Sequence, residues 1–281
     1  MSAPKVTVTS VSGGQSSAYL AAQYPADHLL FSLVCIDHPA SAPKDKKLVQ
    51  LVSDRIGKDF VATAEDDIIL HTILDLEQFL GRQIHWVAGE SFDDLIESRQ
   101  GWLPNKKHRY CTVELKLRPM FRWWREHIGE PVYGQIGFRA NEGARAQRLM
   151  ERCNERGFLE FKDVVGKLKD GRNKWGTFDW QRPAFPMIAD GVHRDHIVEY
   201  WRDKPVRFAK HNNCVGCFHR NPIMLRMMWD QHPDKLDWYA SKEEKGTWRS
   251  DTSYDNIKRH RLQVEMDFDD FSECDSGHCG L

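Results

Sequence analysis

The sequence has no long hydrophobic run; its apolar stretches end after a handful of residues. A membrane-spanning helix needs about 20, so no membrane partner is expected. The N-terminus, Met-Ser-Ala-Pro-Lys-Val-Thr-Val, has no apolar core behind basic residues. That argues against a secretion signal and for a soluble, cytoplasmic protein. A global charge is lacking as well: 40 Lys and Arg face 41 Asp and Glu, so no overall basic field attracts nucleic acid. Internal repeats and low-complexity segments are missing. The cysteines do not pair evenly: there are seven, Cys35, Cys111, Cys153, Cys214, Cys217, Cys274 and Cys279. An odd count, close spacing at two places and no secretion signal exclude a disulfide framework and favour metal or redox chemistry.

With 281 residues, 41% of them hydrophobic, the chain can bury a sizeable core. Residues 5–11 are short and β-branched, and 29–36 form a nearly unbroken apolar run, as in strands covered on both faces. Further strands are expected at 84–88, 132–136 and 184–188. Helical periodicity marks 44–56, 66–80, 112–127 and 193–202. The alternation predicts an α/β fold with a doubly wound parallel sheet. Residues 157–182, polar and rich in Lys, Gly and Asp, read as a surface hairpin or mobile insertion. After Pro205 the chain becomes rich in Trp, Met and helical patterns. The expected division is a nucleotide-binding α/β domain over 1–204 and a small Cys-containing, mostly helical subdomain over 205–281.

The loop Ser12-Gly13-Gly14-Gln15-Ser16-Ser17 lies between the first strand and the first helix. Glycine lets the backbone turn tightly and come close to a ligand. The first amides of the following helix then face an anion, and the helix dipole favours negative charge. Gly137-Phe138-Arg139-Ala140-Asn141-Glu142 follows a later strand, at the carboxyl edge where ligands bind in open α/β sheets. Arg139 offers a bidentate fork to phosphate, and Glu142 can orient it or bind a metal. Asp37, at the end of the second strand, suits a ribose or base contact, and equally a turn before Pro39. Cys214-Val215-Gly216-Cys217 can grip one metal centre, with Gly216 relieving a tight turn; iron–sulfur and zinc both suit the thiolates. Cys35 reads as a buried core thiol. Trp123, Trp124, Trp201, Trp229 and Trp238 read as packing, and His193 and His196 as surface residues.

Several of these segments together resemble the PP-loop (HUP-type, Rossmann-like) adenine-nucleotide enzymes, in particular the phosphoadenosine-phosphosulfate-reductase-like family and its phage-type branch. Ser12, Gly13, Gly14 and Ser17 match that family's Ser-Gly-Gly-x-Asp-Ser loop, while Ser16 stands where Asp is usual. Cys111-Thr112 with Lys116 and Pro119 resembles its Cys-Thr-x-x-Leu-Lys-x-x-Pro segment. Gly137, Arg139 and Glu142 resemble its Gly-Ile-Arg-x-x-Glu segment. Asn213–Phe218, Asp237-Trp238-Tyr239 and Glu243 resemble the phage-type branch. The resemblance implies nucleotide binding by Ser12 to Ser17, Asp37, Lys116, Gly137, Arg139 and Glu142. It also implies a [4Fe-4S] cluster on Cys111, Cys214 and Cys217, with Cys274 or Cys279 as a further ligand. Zinc is the rival metal.

The implied activity is ATP binding with Mg²⁺, adenylation of an acceptor, and sulfur transfer from a sulfur donor to a nucleic-acid or small-molecule acceptor. The alternative is a sulfonucleotide (PAPS or APS) reductase, in which Cys274 or Cys279 is the nucleophile and an external thiol the reductant. A third reading, from another class, is a catalytically inactive nucleotide-sensing or nucleic-acid-binding regulator. A homo-oligomer is compatible with all three.

Overall fold

Five residues, Thr7–Val11, with Val8, Thr9 and Val11 buried, form β1, and α1 begins four residues later at Gln15–Gln23. The computed structural model describes residues 3–260. The remaining strands are β2 (His28–Leu33), β3 (Cys35–Ile36), β4 (Ala62–Thr63), β5 (His85–Ala88), β6 (Val132–Gln135), β7 (Leu159–Lys167) and β8 (Asn173–Ala184). The helices after α1 are α2 (Lys46–Ile56), α3 (Ile68–Leu80), α4 (Phe92–Ser98), α5 (Tyr110–Thr112), α6 (Arg118–His127), α7 (Gly143–Met150), α8 (Pro186–Ala189), α9 (Arg194–Trp201), α10 (Pro222–Gln231), α11 (Pro233–Ser241) and α12 (Tyr254–Arg259). A π-helical turn, Val113–Leu117, joins α5 to α6.

The architecture is α/β. A six-stranded, mostly parallel sheet has the order β5-β2-β1-β6-β8-β7 and is compatible with a Rossmann-like fold. β1 pairs in parallel with β2 on one side and β6 on the other, and β6 pairs in parallel with β8. Only β7 is known to run antiparallel, against β8. The chain leaves β1 towards β2 and returns later to β6 on the opposite side. The carboxyl ends of β1 and β6 therefore flank a topological switch point, where a crevice opens outside the sheet. Among the described residues no helix is long and apolar enough to cross a membrane.

Several expectations need correction. The second apolar run is not one strand: β2 ends at Leu33, and Cys35–Ile36 leaves the sheet to pair antiparallel with Thr63 and Ala62. The 112–127 helix is interrupted by the π turn. Residues 157–182 form the expected hairpin, β7 and β8, but it is part of the sheet rather than an insertion outside it, because Gln181–Ala184 form the partner of β6. No strand runs over 184–188; β8 stops at Ala184, and Pro186, at an α-helical first turn where its missing N–H costs nothing, starts α8.

The chain folds as two compact units. Among the described residues the first comprises 3–31, 75–85 and 120–206, and the second 32–74, 86–119 and 207–260. The chain passes between the units several times, once at 206/207, near the boundary expected at 204/205. In the second unit Phe92, Leu115, Val215, Leu225, Trp238 and Trp248 share one buried cluster with Ala62 and Ala64, residues far apart in sequence. Each such side chain contributes roughly 1.5–3 kcal/mol on burial, so the C-terminal helices acquire a core they could not form from their own residues.

Candidate functional site

In the first unit the loop after β1 turns through Gly13, whose φ of 76° only glycine adopts readily. Gly14 is the N-cap of α1, with no side-chain cap and no acidic residue in the first turn. The amides of Gln15, Ser16 and Ser17 open that helix, and its dipole favours an anion there. Ser17 serves the loop itself: its buried hydroxyl donates to the Gly14 carbonyl at 3.0 Å and accepts the Ser12 amide at 3.0 Å. Ser12 is exposed and Ser16 half-exposed, so these are the hydroxyls open to a ligand. The Trp201 indole donates to the Gln15 carbonyl at 3.1 Å and pins the start of α1 from α9.

The segment after β6 comes up against this turn. A Cβ on Gly137 would lie 3.4 Å from both the Cα and the amide nitrogen of Ser17, an ordinary van der Waals contact, so the two backbones run close together here. Five residues on, Glu142 accepts from the Arg139 amide at 2.9 Å and from Arg139 Nε at 3.2 Å, and its other oxygen accepts from Arg145 at 2.9 Å. Arg145 also stacks 4.3 Å above the Phe138 ring. Glu142 thus orients two guanidinium groups, and the orienting role foreseen for it is the one observed. Arg145 was missed from sequence; its spacing of three from Glu142 on a helix start was the available signal.

Cys35, Cys111, Cys214 and Cys217 belong to the second unit, and Cys153 to the first. Cys111 sits in α5, and Cys214 and Cys217 in a turn closed by the Cys217 amide on the Cys214 carbonyl at 3.2 Å. The three thiols lie within electrostatic range of one another. Burial pushes Cys111 up to about 11, helped by Cys217 and opposed by Arg109 and Lys116. Burial pushes Cys214 up to about 12, with Lys116 the main opposing charge. Tyr239, fully buried, is raised well above the ordinary phenol by burial and then by Cys214. Such thiols stay protonated at neutral pH until a metal displaces the protons. Among the described residues no three His, Cys, Asp or Glu side chains form a closed set of metal ligands. Cys274 and Cys279 lie outside the described residues.

Lys116, expected to bind the nucleotide, donates to Glu65 at 2.8 Å within this second unit. Glu65 precedes α3, and an isolated bridge joins it to Cys214. Nothing in the local sequence marks Glu65, which sits in an acidic Glu-Asp-Asp run. Asp37 also belongs to this unit; it is exposed, and its amide donates to Asp93 at 2.7 Å. Gly216 does not have a positive φ, so the expected relief of a tight turn is wrong: Asn213, at φ 70°, takes the left-handed position. Gly216 is required by the Tyr239 ring, whose Cδ2 would stand 2.2 Å from an added Cβ. Cys35 is buried as expected, and burial raises its thiol to about 11. The five tryptophans read as packing are all buried.

The chain matches no protein-family model, no curated protein and no solved structure.

Also in the second unit, His211 is 2% exposed, and neither ring nitrogen has a hydrogen-bond partner among the described residues. Burial, then Arg220 and Lys210, lower it from 6.5 to about 4, against the opposing pull of Asp66; His232 adds to the lowering. The unfolded chain therefore binds this proton first as the pH falls. The stabilisation is complete above pH 6.5 and disappears as the pH drops towards 4, a loss of about 2–3 kcal/mol. Urea unfolding of His211→Gln at pH 7.5, 5.5 and 4.5 is expected to show a flatter pH profile than the parent over this range. An unchanged profile would mean that the ring is hydrated.

Proposed function

We propose that the chain is a PP-loop adenine-nucleotide enzyme of the phosphoadenosine-phosphosulfate-reductase-like type, which adenylates an acceptor for sulfur transfer. The observation that carries this reading is the contact of Gly137 with the Ser16–Ser17 backbone, beside an Arg139 held by Glu142. It supports a single phosphate-binding corner at the switch point of a parallel sheet. The α1 amides with Ser12 and Ser16 would hold phosphoryl oxygens, and Arg139 would stabilise the charge that grows on the departing pyrophosphate. Mg²⁺ would screen the remaining charge.

The acceptor oxygen attacks the α-phosphorus, the bond to the β-phosphate breaks, and pyrophosphate leaves. A sulfur nucleophile from a reduced sulfur donor then displaces AMP, which departs with the former acceptor oxygen. Catalysis of the first step rests on positioning and fixed charge. Cys111, Cys214 and Cys217 are neighbouring soft donors in a desolvated setting, and drawn closer together they would hold a [4Fe-4S] cluster or zinc. A bound cluster would supply sulfur or electron chemistry. Lys116 and Arg109 lower the thiol pKa values there and favour the thiolates a metal needs.

Pyrophosphate release from ATP tests the reading, and Arg139→Lys should reduce it about 10²–10³-fold, since lysine lacks the fork that Glu142 orients. The first turn of α1 carries no carboxylate, which favours the sulfonucleotide-reductase reading as the second choice, since it needs no metal at position 16. Sulfite release from PAPS without pyrophosphate release from ATP would decide for it. Nucleotide binding with neither product would leave the regulator.

A further inference from the structure

We propose that the β7–β8 ribbon binds nucleic acid. β8 pairs with β6 only through Gln181–Ala184, whereas its residues 173–179 pair with β7 alone. The hairpin therefore continues past the sheet as a two-stranded ribbon. Its base is packed: Phe161 stacks on Phe121 with centroids 4.5 Å apart, and Arg125 covers Phe178 at 5.1 Å. Its far end is not. Trp175 is 56% exposed, opposite Val164 on the face turned away from the buried Phe161 and Trp180. Val165 and Leu168 are also exposed in this hairpin.

The same segment concentrates positive charge in a chain that has almost none overall. Between 162 and 175 stand Lys162, Lys167, Lys169, Arg172 and Lys174, against Asp163 and Asp170. Asp163 is buried and lies within ion-pair range of Arg122 and Arg125. Asp170 meets Arg172 in an exposed pair, which solvent makes weak. An exposed indole set among several cations suits a ligand that is both anionic and able to present a flat or apolar face. Phosphates for the lysines and a base or groove wall for Trp175 meet both demands. A two-stranded ribbon also has the width of a major groove. An acidic protein surface would match the charge but offers no stacking partner for the indole.

This role stands apart from the adenylation chemistry proposed above. The test uses the full chain without ATP and reads fluorescence anisotropy of labelled 20-nucleotide probes: single- and double-stranded DNA, and the same in RNA. With four phosphates neutralised, the log–log dependence of affinity on salt should have a slope of about −3. The variant K167Q/K169Q/R172Q/K174Q should bring that slope close to zero and weaken binding at 50 mM salt by about tenfold or more. Trp175→Ala should weaken binding about tenfold and leave the slope unchanged. Preference for single strands would assign the indole to base stacking, and preference for duplex would assign the ribbon to a groove; both uphold the proposal. Absence of binding by the parent chain to every probe at 50 mM salt would overturn it. So would equal binding by variants whose circular dichroism and melting match the parent.

Discussion

Lys116→Met is expected to cost about 3–5 kcal/mol of stability, because it strands a buried carboxylate. Glu65 is 2% exposed; one oxygen accepts from Lys116 at 2.8 Å, and the other has no hydrogen-bond partner among the described residues. Without the ammonium group the carboxylate must protonate or drag water inward. The methionine keeps the aliphatic length, so lost packing explains little of the effect. Urea unfolding at pH 7 measures the loss. Lys116→Met with Glu65→Gln removes both charges and should recover most of it. A single variant within about 1 kcal/mol of the parent would show that water already reaches the pair. The same substitution removes the main charge opposing the upward shift of Cys214. Iron or zinc content per chain should fall along with stability if the three cysteines hold a metal.

Gly216→Ala is the second large effect, at about 1–3 kcal/mol or more. The added methyl would stand 2.2 Å from Tyr239 Cδ2 and 2.5 Å from its neighbours in the ring. The ring cannot swing aside. It is fully buried, with Trp238, Trp248 and Tyr254 at centroid distances of 4.7, 5.0 and 5.9 Å. Nor can the backbone retreat freely, since the Gly216 carbonyl accepts the Tyr254 hydroxyl at 2.7 Å. The Cys214–Cys217 turn must therefore distort. Melting temperature and metal content measured together should both drop. Gly246→Ala meets nothing within 4 Å and serves as the neutral control. In the double variant with Tyr239→Ala the two losses should not add, because the second change opens the space the first one needs.

Local signals located much of the fold. A β-branched run, a double glycine and a helical pattern placed β1, the phosphate-type turn and α1, because strand propensity, turn freedom and helical period are properties of neighbouring residues. The apolar face read at Leu48, Leu51, Val52 and Ile56 located α2 for the same reason, although Leu51 is exposed. The sequence also suggested that Gly137 and Arg139 belong near a strand end. That Gly137 touches the Ser16–Ser17 backbone depends on β6 pairing beside β1, a choice made across more than 100 residues.

The sequence by itself determined where chain direction changes, which residue types could meet an anion, and which thiols stand two residues apart. Only the tertiary structure decided that Cys35–Ile36 turns out of the sheet and that β8 is a member of it. It alone put Lys116 against Glu65 and made Gly216 necessary through Tyr239. Each of these depends on close packing or a buried charge meeting its partner across a long stretch of chain, and neither periodicity nor spacing carries information about a partner that far away.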